Sequence, residues 1–155
     1  MLVYRVADAF AEGKVDYAIA GGQALGLHGA GRATFDLDIV LRWTKVNLAA
    51  AEQALGSVGL QSRLPLNARD VFEFREEYMR NKNLLAWSFW NPGAQNEVVD
   101  LLVAHDLAAM KTKTFKAQGH LLRVVSVDDL IAMKRKSGRP QDLEDIRALE
   151  YLKKR

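Results

Sequence analysis

The sequence predicts an α+β fold in which helices and strands fall in separate runs, with largely antiparallel strands in the middle and helices closing the C-terminal part. Three observations predict it. Both ends carry apolar side chains at helical spacing. Phe35 to Trp43 alternates between two faces. Two further alternating stretches flank Asn91-Pro92-Gly93, where proline fixes φ and glycine accepts positive φ. The chain has 155 residues, 49% apolar and 26% charged. Those proportions suit one globular domain over residues 1–155 and argue against disorder over most of its length.

Taken in order, Leu2, Val6, Ala9 and Phe10 predict a helix over 2–12, stopped by Gly13. Tyr17-Ala18-Ile19-Ala20 reads as a short buried strand running into Gly21-Gly22, and residues 23–29 as a short helix. In the next strand Asp36, Asp38, Val40 and Arg42 share one face and Leu37, Ile39, Leu41 and Trp43 the other. Residues 45–56 read as an alanine-rich helix. The middle reads as a meander: Val71 to Arg75 alternates, as do Leu85 to Phe89, and Glu97 to Val103 returns across a loop of about five residues. From about residue 106 to 155 the chain reads as helical, opened by Asp106 or Asp128. Ser126 to Asp129 resembles a capping box, Gly138 closes that helix, and Pro140 opens a last one with an inward stripe of Leu143, Ile146 and Leu149.

Cysteine is absent, which removes disulfides and thiolate metal sites and fits a reducing cytoplasm. No apolar run is long enough to span a bilayer, and Asp8, Glu12 and Lys14 interrupt any secretory-signal pattern, so no membrane partner is expected. The net charge of +3 is mild, with much of it late in the chain, where it could attract triphosphate or RNA or simply form a solvated face.

The carboxylates carry the chemistry. Asp36 and Asp38 project from one side of a strand, about 6.6 Å apart along the backbone. Asp100 lies inside the apolar run Val98 to Leu102, where a charge is expensive to bury unless paired or coordinating metal. If the two strands are neighbours, the three carboxylates form one cluster, whose mutual repulsion a divalent cation would relieve. The alternative is ion pairing with Arg32, Arg42 or Lys134. Gly21-Gly22 between strand and helix can bring bare backbone close to a phosphate, Gln23 can add an amide, and Arg32 can hold a phosphate. His28 reads equally as a substrate contact or a hydrogen-bonded structural histidine. Asp142 and Asp145 share a helix face and either pair with arginine or position Lys134. Neither a zinc-type histidine spacing nor a persuasive Ser/His/Asp arrangement is present. Of the aromatics Phe72, Phe74, Trp87, Phe89 and Trp90, most read as core, with one available to stack on a base.

Gly21-Gly22-Gln23, Asp36-x-Asp38 and Asp100 together resemble the DNA polymerase β-like nucleotidyltransferase superfamily. Gly22 to Leu25, His28-Gly29 and Arg32 to Asp38, with Leu130 to Lys134 and Gly138 to Ile146, are most similar to small AbiE-type toxin nucleotidyltransferases. One departure is Gln23, where the superfamily usually has serine. The resemblance implies a mixed, largely antiparallel central sheet flanked by helices. It implies transfer of a nucleoside monophosphate from an NTP to an acceptor hydroxyl, on RNA or protein, with an antitoxin as a further partner. It implies two Mg²⁺ ions, with Mn²⁺ as the substitute, held by Asp36, Asp38 and Asp100. Gly21, Gly22, Gln23, Arg32 and Lys134 would then bind the nucleotide. For Lys134 the competing reading is a solvated cation at a helix end.

Two rival readings stand beside this one. A non-catalytic nucleotide-binding member of a toxin–antitoxin pair would have little reason to keep three carboxylates. A metal-dependent phosphodiesterase or nuclease lacks a clear general-base histidine near the acidic residues in the sequence.

Overall fold

The computed structural model of the chain describes residues 1–31 and 36–155. Helix α1 (Leu2–Glu12) leads into strand β1 (Tyr17–Ala20), which passes directly into α2 (Gly21–His28). Strand β2 (Leu37–Leu41) and helix α3 (Lys45–Ser57) follow. Next come the short strand β3 (Gln61–Ser62) and the short helices α4 (Ala68–Glu73) and α5 (Arg75–Asn81). The hairpin β4 (Ala86–Asn91) and β5 (Ala94–Leu102) leads to a single 3-10 turn (Leu107–Ala109). A second hairpin, β6 (Thr112–Ala117) and β7 (His120–Val125), precedes α6 (Val127–Ser137) and α7 (Pro140–Lys153).

Among the described residues the strands form one seven-stranded sheet in the order β3-β4-β5-β2-β1-β7-β6. The hairpins and the β1–β2 and β3–β4 pairs are antiparallel, whereas β2–β5 and β1–β7 are parallel. The sheet is therefore mixed and largely antiparallel, with helices around it, as expected.

Side-chain alternation sorts the sheet into two faces. Ile19, Ile39, Leu101 and Trp87 form one row across β1, β2, β5 and β4, and each is 1% exposed or less. Helix α1 packs on this face, where the rings of Phe10 and Tyr17 lie 4.8 Å apart. The next row, offset by one residue, is Ala20, Asp38, Asp100 and Ser88. Because the side-chain period is two, that row faces the other way. The apolar face builds the core and leaves the two carboxylates together on the opposite surface.

Four expectations need correction. Val71 to Arg75 is not a strand. Asn67 caps α4 by accepting from the Asp70 N–H, and the segment continues helically to Asn81 after a break at Phe74. With Ala68 and Val71 buried and Phe74 exposed, the helical period wins over the apparent alternation. The β4–β5 turn is shorter than expected. Asn91 pairs with Ala94, so Pro92-Gly93 alone makes the bend, and the Asn91 side chain accepts from the Gly93 N–H. The stretch from 106 is not helical throughout, because it holds β6 and β7 joined by Gln118-Gly119, both at positive φ (49° and 82°). Asp106 caps only the 3-10 turn, and Ser126 caps α6. Finally, the stripe of α7 is rotated: Leu143 is 52% exposed, while Asp142 and Asp145 join Ile146 and Leu149 inside.

Candidate active site

Asp38 and Asp100 are register partners on adjacent parallel strands, so their side chains leave the same face of the sheet about one strand spacing apart. This is the long-range contact that the sequence made conditional. Ser88, beside Asp100 on β4, donates its hydroxyl to Asp100 Oδ1 and fixes that carboxylate. Asp36, just before β2, is exposed. Burial raises the Asp38 carboxyl from 3.8 to about 6, and the charges of Asp100 and then Asp36 push the same way; Lys134 and Arg139 oppose them. Asp38 therefore feels both of the other carboxylates. Yet among the described residues no three His, Cys, Asp or Glu side chains converge closely enough to form a ready metal cage. The structure pairs two of the expected three and leaves Asp36 exposed, one residue before β2.

That arrangement still fits a divalent cation. Mg²⁺ commonly takes one or two carboxylates and completes its shell with substrate phosphates and water. A half-buried Asp38 whose ionisation is opposed by burial and by two like charges is the kind of group that a cation would stabilise.

Gly21 and Gly22 form no separate loop; they make the first turn of α2, immediately after β1. Gly21 enters it at φ +63°, and a side chain there would run into the Asp38 carboxylate. Glycine is thus required twice, by its backbone angle and by the close approach. The α2 N-terminus opens beside the carboxylate row, where backbone N–H groups without helical partners suit an anion. Gly22 and Gln23 lie half-buried in this same turn. Arg32, with Thr34, lies outside the described residues.

A cleft of about 650 Å³ opens over the carboxylate face. Gly21, Asp38, Lys134, Arg139 and Asp142 are among its lining residues. Leu85, Ala86, Leu102, Leu130 and Met133 supply apolar lining, and His105 is also part of its wall. Lys134 is no solvated helix-end cation. Its side chain is 12% exposed, and Nζ lies 3.0 Å from Asp145 Oδ2 and 3.5 Å from Asp142 Oδ1. Burial alone would raise the Asp142 pKa. Hydrogen bonds from the Arg139 side chain, Ser137 and the Arg139 backbone, with the Arg139 charge, outweigh it and hold this carboxyl far below its usual range. Asp142 and Asp145 thus hold Lys134, and Asp142 also pairs with Arg139, so both readings open for them in the sequence apply.

His28 takes the structural reading. Its Nε2 donates to the Val125 carbonyl at 2.8 Å, and its ring meets Phe115 edge-on, tying α2 to the β6–β7 hairpin. Trp87 and Phe89 are core, as most of the aromatics were expected to be.

Sequence reasoning missed three residues of this site. Ser88 carried only its place in an alternating strand, and its role appears once β4 pairs with β5. His105 follows β5 and lines the cleft, where burial and the charges of Lys136 and Arg75 hold its pKa down. Arg139 did carry a signal: it directly precedes Pro140, at the position that caps α7.

No protein-family model and no curated protein matches the chain. Solved structures do. The antibiotic-resistance factor ANT(2'')-Ia superposes with a TM-score of 0.61 at 15% identity, covering 97% of this chain and 80% of that one. The lincosamide antibiotic adenylyltransferase LnuA, solved with lincomycin bound, gives 0.61 at 14% identity, covering 97% and 96%. An antigenic nucleotidyltransferase-like protein from Paracoccidioides brasiliensis gives 0.57 at 20% identity, covering 96% and 73%. At these identities the likeness is one of fold, and the fold is that of the polymerase β-like nucleotidyltransferases.

Proposed function

We propose that this chain is a Mg²⁺-dependent nucleotidyltransferase that moves a nucleoside monophosphate from an NTP to an acceptor hydroxyl. The observation that carries this reading is the side-by-side pair Asp38 and Asp100 on one face of the sheet, with Gly21 against Asp38 and Lys134 lining the same cleft as Asp38. The fold neighbours named as nucleotidyltransferases support it.

Asp38 and Asp100 would hold the metal, with Asp36 as a third carboxylate. Bound there, Mg²⁺ would supply neutralisation of triphosphate charge and stabilise the entering and leaving oxygens. The backbone of Gly21, Gly22 and Gln23 would bind phosphate oxygens at the α2 N-terminus, with Arg32 as a further phosphate contact. Lys134, a compact cation held by two carboxylates, would offset charge on the triphosphate. Asp100, oriented by Ser88, would accept the proton of the acceptor hydroxyl.

The acceptor proposed is RNA or protein, in a cytoplasmic toxin-like role with an antitoxin partner. The structure of ANT(2'')-Ia with adenylyl-2''-tobramycin makes a small hydroxyl-bearing molecule the competing acceptor. Incubation with each labelled NTP, Mg²⁺ and RNA, protein or small-molecule acceptors tests the proposal. Label should move to one acceptor class with wild type and not with the Asp36→Ala/Asp38→Ala variant. Triphosphate binding without transfer to any acceptor would favour a non-catalytic binder. Phosphodiester cleavage without transfer would favour a hydrolase, for which His105 offers an imidazole in the cleft.

A further inference from the structure

Four charged groups meet where α6 turns into α7. Asp142 is 1% exposed. Its carboxylate accepts from the Arg139 backbone N–H at 3.1 Å, from Arg139 Nε at 3.0 Å and from Arg139 Nη2 at 3.3 Å, and it lies 3.5 Å from Lys134 Nζ. Asp145 is the second partner of Lys134. The two cations differ in exposure. Lys134 is almost enclosed, whereas the Arg139 side chain is 72% exposed and lines the cleft.

A structural role accounts for only part of Arg139. Its hydrogen bonds and charge keep the buried Asp142 carboxylate ionised. The cap on α7 is already made by the Arg139 backbone N–H, which any residue supplies. The clasp uses Nε and one Nη2 bond out of the five N–H donors of a guanidinium, so Nη1 keeps its donors for another acceptor. The positive charge of Arg139 also acts directly on Asp38. A guanidinium held in one geometry has prepaid much of the entropy of ordering a long side chain, which favours binding a planar or tetrahedral oxyanion.

We propose that Arg139 is a phosphate-binding residue of the cleft, acting beside Lys134, and that Asp142 is a positioning residue holding both cations toward the carboxylate row. The inference rests on the nucleotidyltransferase reading and adds to it a second fixed cation for the triphosphate. Asp142 serves as a common counter-ion: it stays ionised and buried, and it aims Arg139 without consuming all its donors.

The test is calorimetric titration of the whole chain with an NTP, with inorganic tripolyphosphate and with the matching nucleoside monophosphate, in Mg²⁺. Arg139→Ala should weaken NTP and tripolyphosphate binding roughly tenfold or more. It should change monophosphate binding less, and it should lower the melting temperature by no more than Asp142→Asn does. Arg139→Lys should recover part of the loss, because it restores the charge without the bidentate clasp. Asp142→Asn should weaken triphosphate binding through both cations, with KM rising more than kcat falls. A folded Arg139→Ala protein that binds tripolyphosphate within twofold of wild type would overturn the assignment while leaving the proposed function intact. A wild-type protein that binds neither NTP nor tripolyphosphate would overturn both.

Discussion

Asp38 lies beneath its own neighbours. Burial and the charges of Asp100 and Asp36 lift its pKa from 3.8 to about 6. The sign of the consequence follows from linkage. A carboxyl whose folded pKa exceeds its unfolded value contributes stability that is fully present below the unfolded value and lost as pH rises through the folded one. Without divalent metal, therefore, Asp38 weakens the fold between about pH 4 and pH 6 and keeps it weakened above. Asp38→Asn should raise metal-free stability at pH 8 by on the order of 1–3 kcal/mol and have almost no effect near pH 3.5. Calorimetric melting in chelator at the two pH values checks this, and a variant less stable than wild type at pH 8 would contradict it. A residue that lowers the stability of its own protein fits a function better than a structural role.

At the scale of elements, α6 and α7 form a unit locked by buried charge rather than by apolar side chains alone. Gly138 closes α6 at φ +66°, Pro140 begins α7, and Lys134 bridges the two helices through Asp142 and Asp145. The Asp142 pKa is depressed well below its ordinary 3.8. Here the sign is opposite to that of Asp38: the stability is present above the unfolded value and lost as pH falls toward the folded one. Asp142→Asn should cost about 2–3 kcal/mol at pH 7, and wild type should lose this advantage progressively below about pH 4. Melting curves from pH 7 downward would show the two proteins converging in acid. A constant gap between them would mean that packing, not charge, holds the helices.

Across the whole molecule, the sheet has a strong centre and a weaker wing. Strand β2 is paired on both sides, by β1 and β5, along the row that carries the carboxylates. The β6–β7 hairpin joins this centre through the short parallel pairing of β7 with β1, registered at Ile19 and Val124, while β6 lies at the edge. Regions with fewer cross-strand partners open at lower cost. Amides of Thr112–Ala117 should therefore exchange with deuterium well before those of Leu37–Leu41. Equal protection of the two strands would show that the hairpin and the centre open as one cooperative unit. A rigid centre beneath a site is what keeps two repelling carboxylates at fixed separation.

Local pattern alone determined much of this protein. The 2–12 helix, the 17–20 strand, the Asp36-x-Asp38 strand, the proline and glycine that bound the last helix, and the glycines beside the carboxylates all follow from periods, caps and backbone freedom confined to a few neighbouring residues. The 112–125 hairpin was not among these: the turn at Gln118-Gly119 is a weak signal next to the helix signs around it, and the stretch reads as helical. Only the tertiary structure decided the rest. Whether Val71 to Arg75 became strand or helix depended on which face could be buried. The pairing of Asp38 with Asp100 depended on a parallel contact between strands some sixty residues apart. The burial of Lys134 depended on α7 folding back to present two carboxylates. Each of these is a choice of partner at long range, and no local pattern contains the partner.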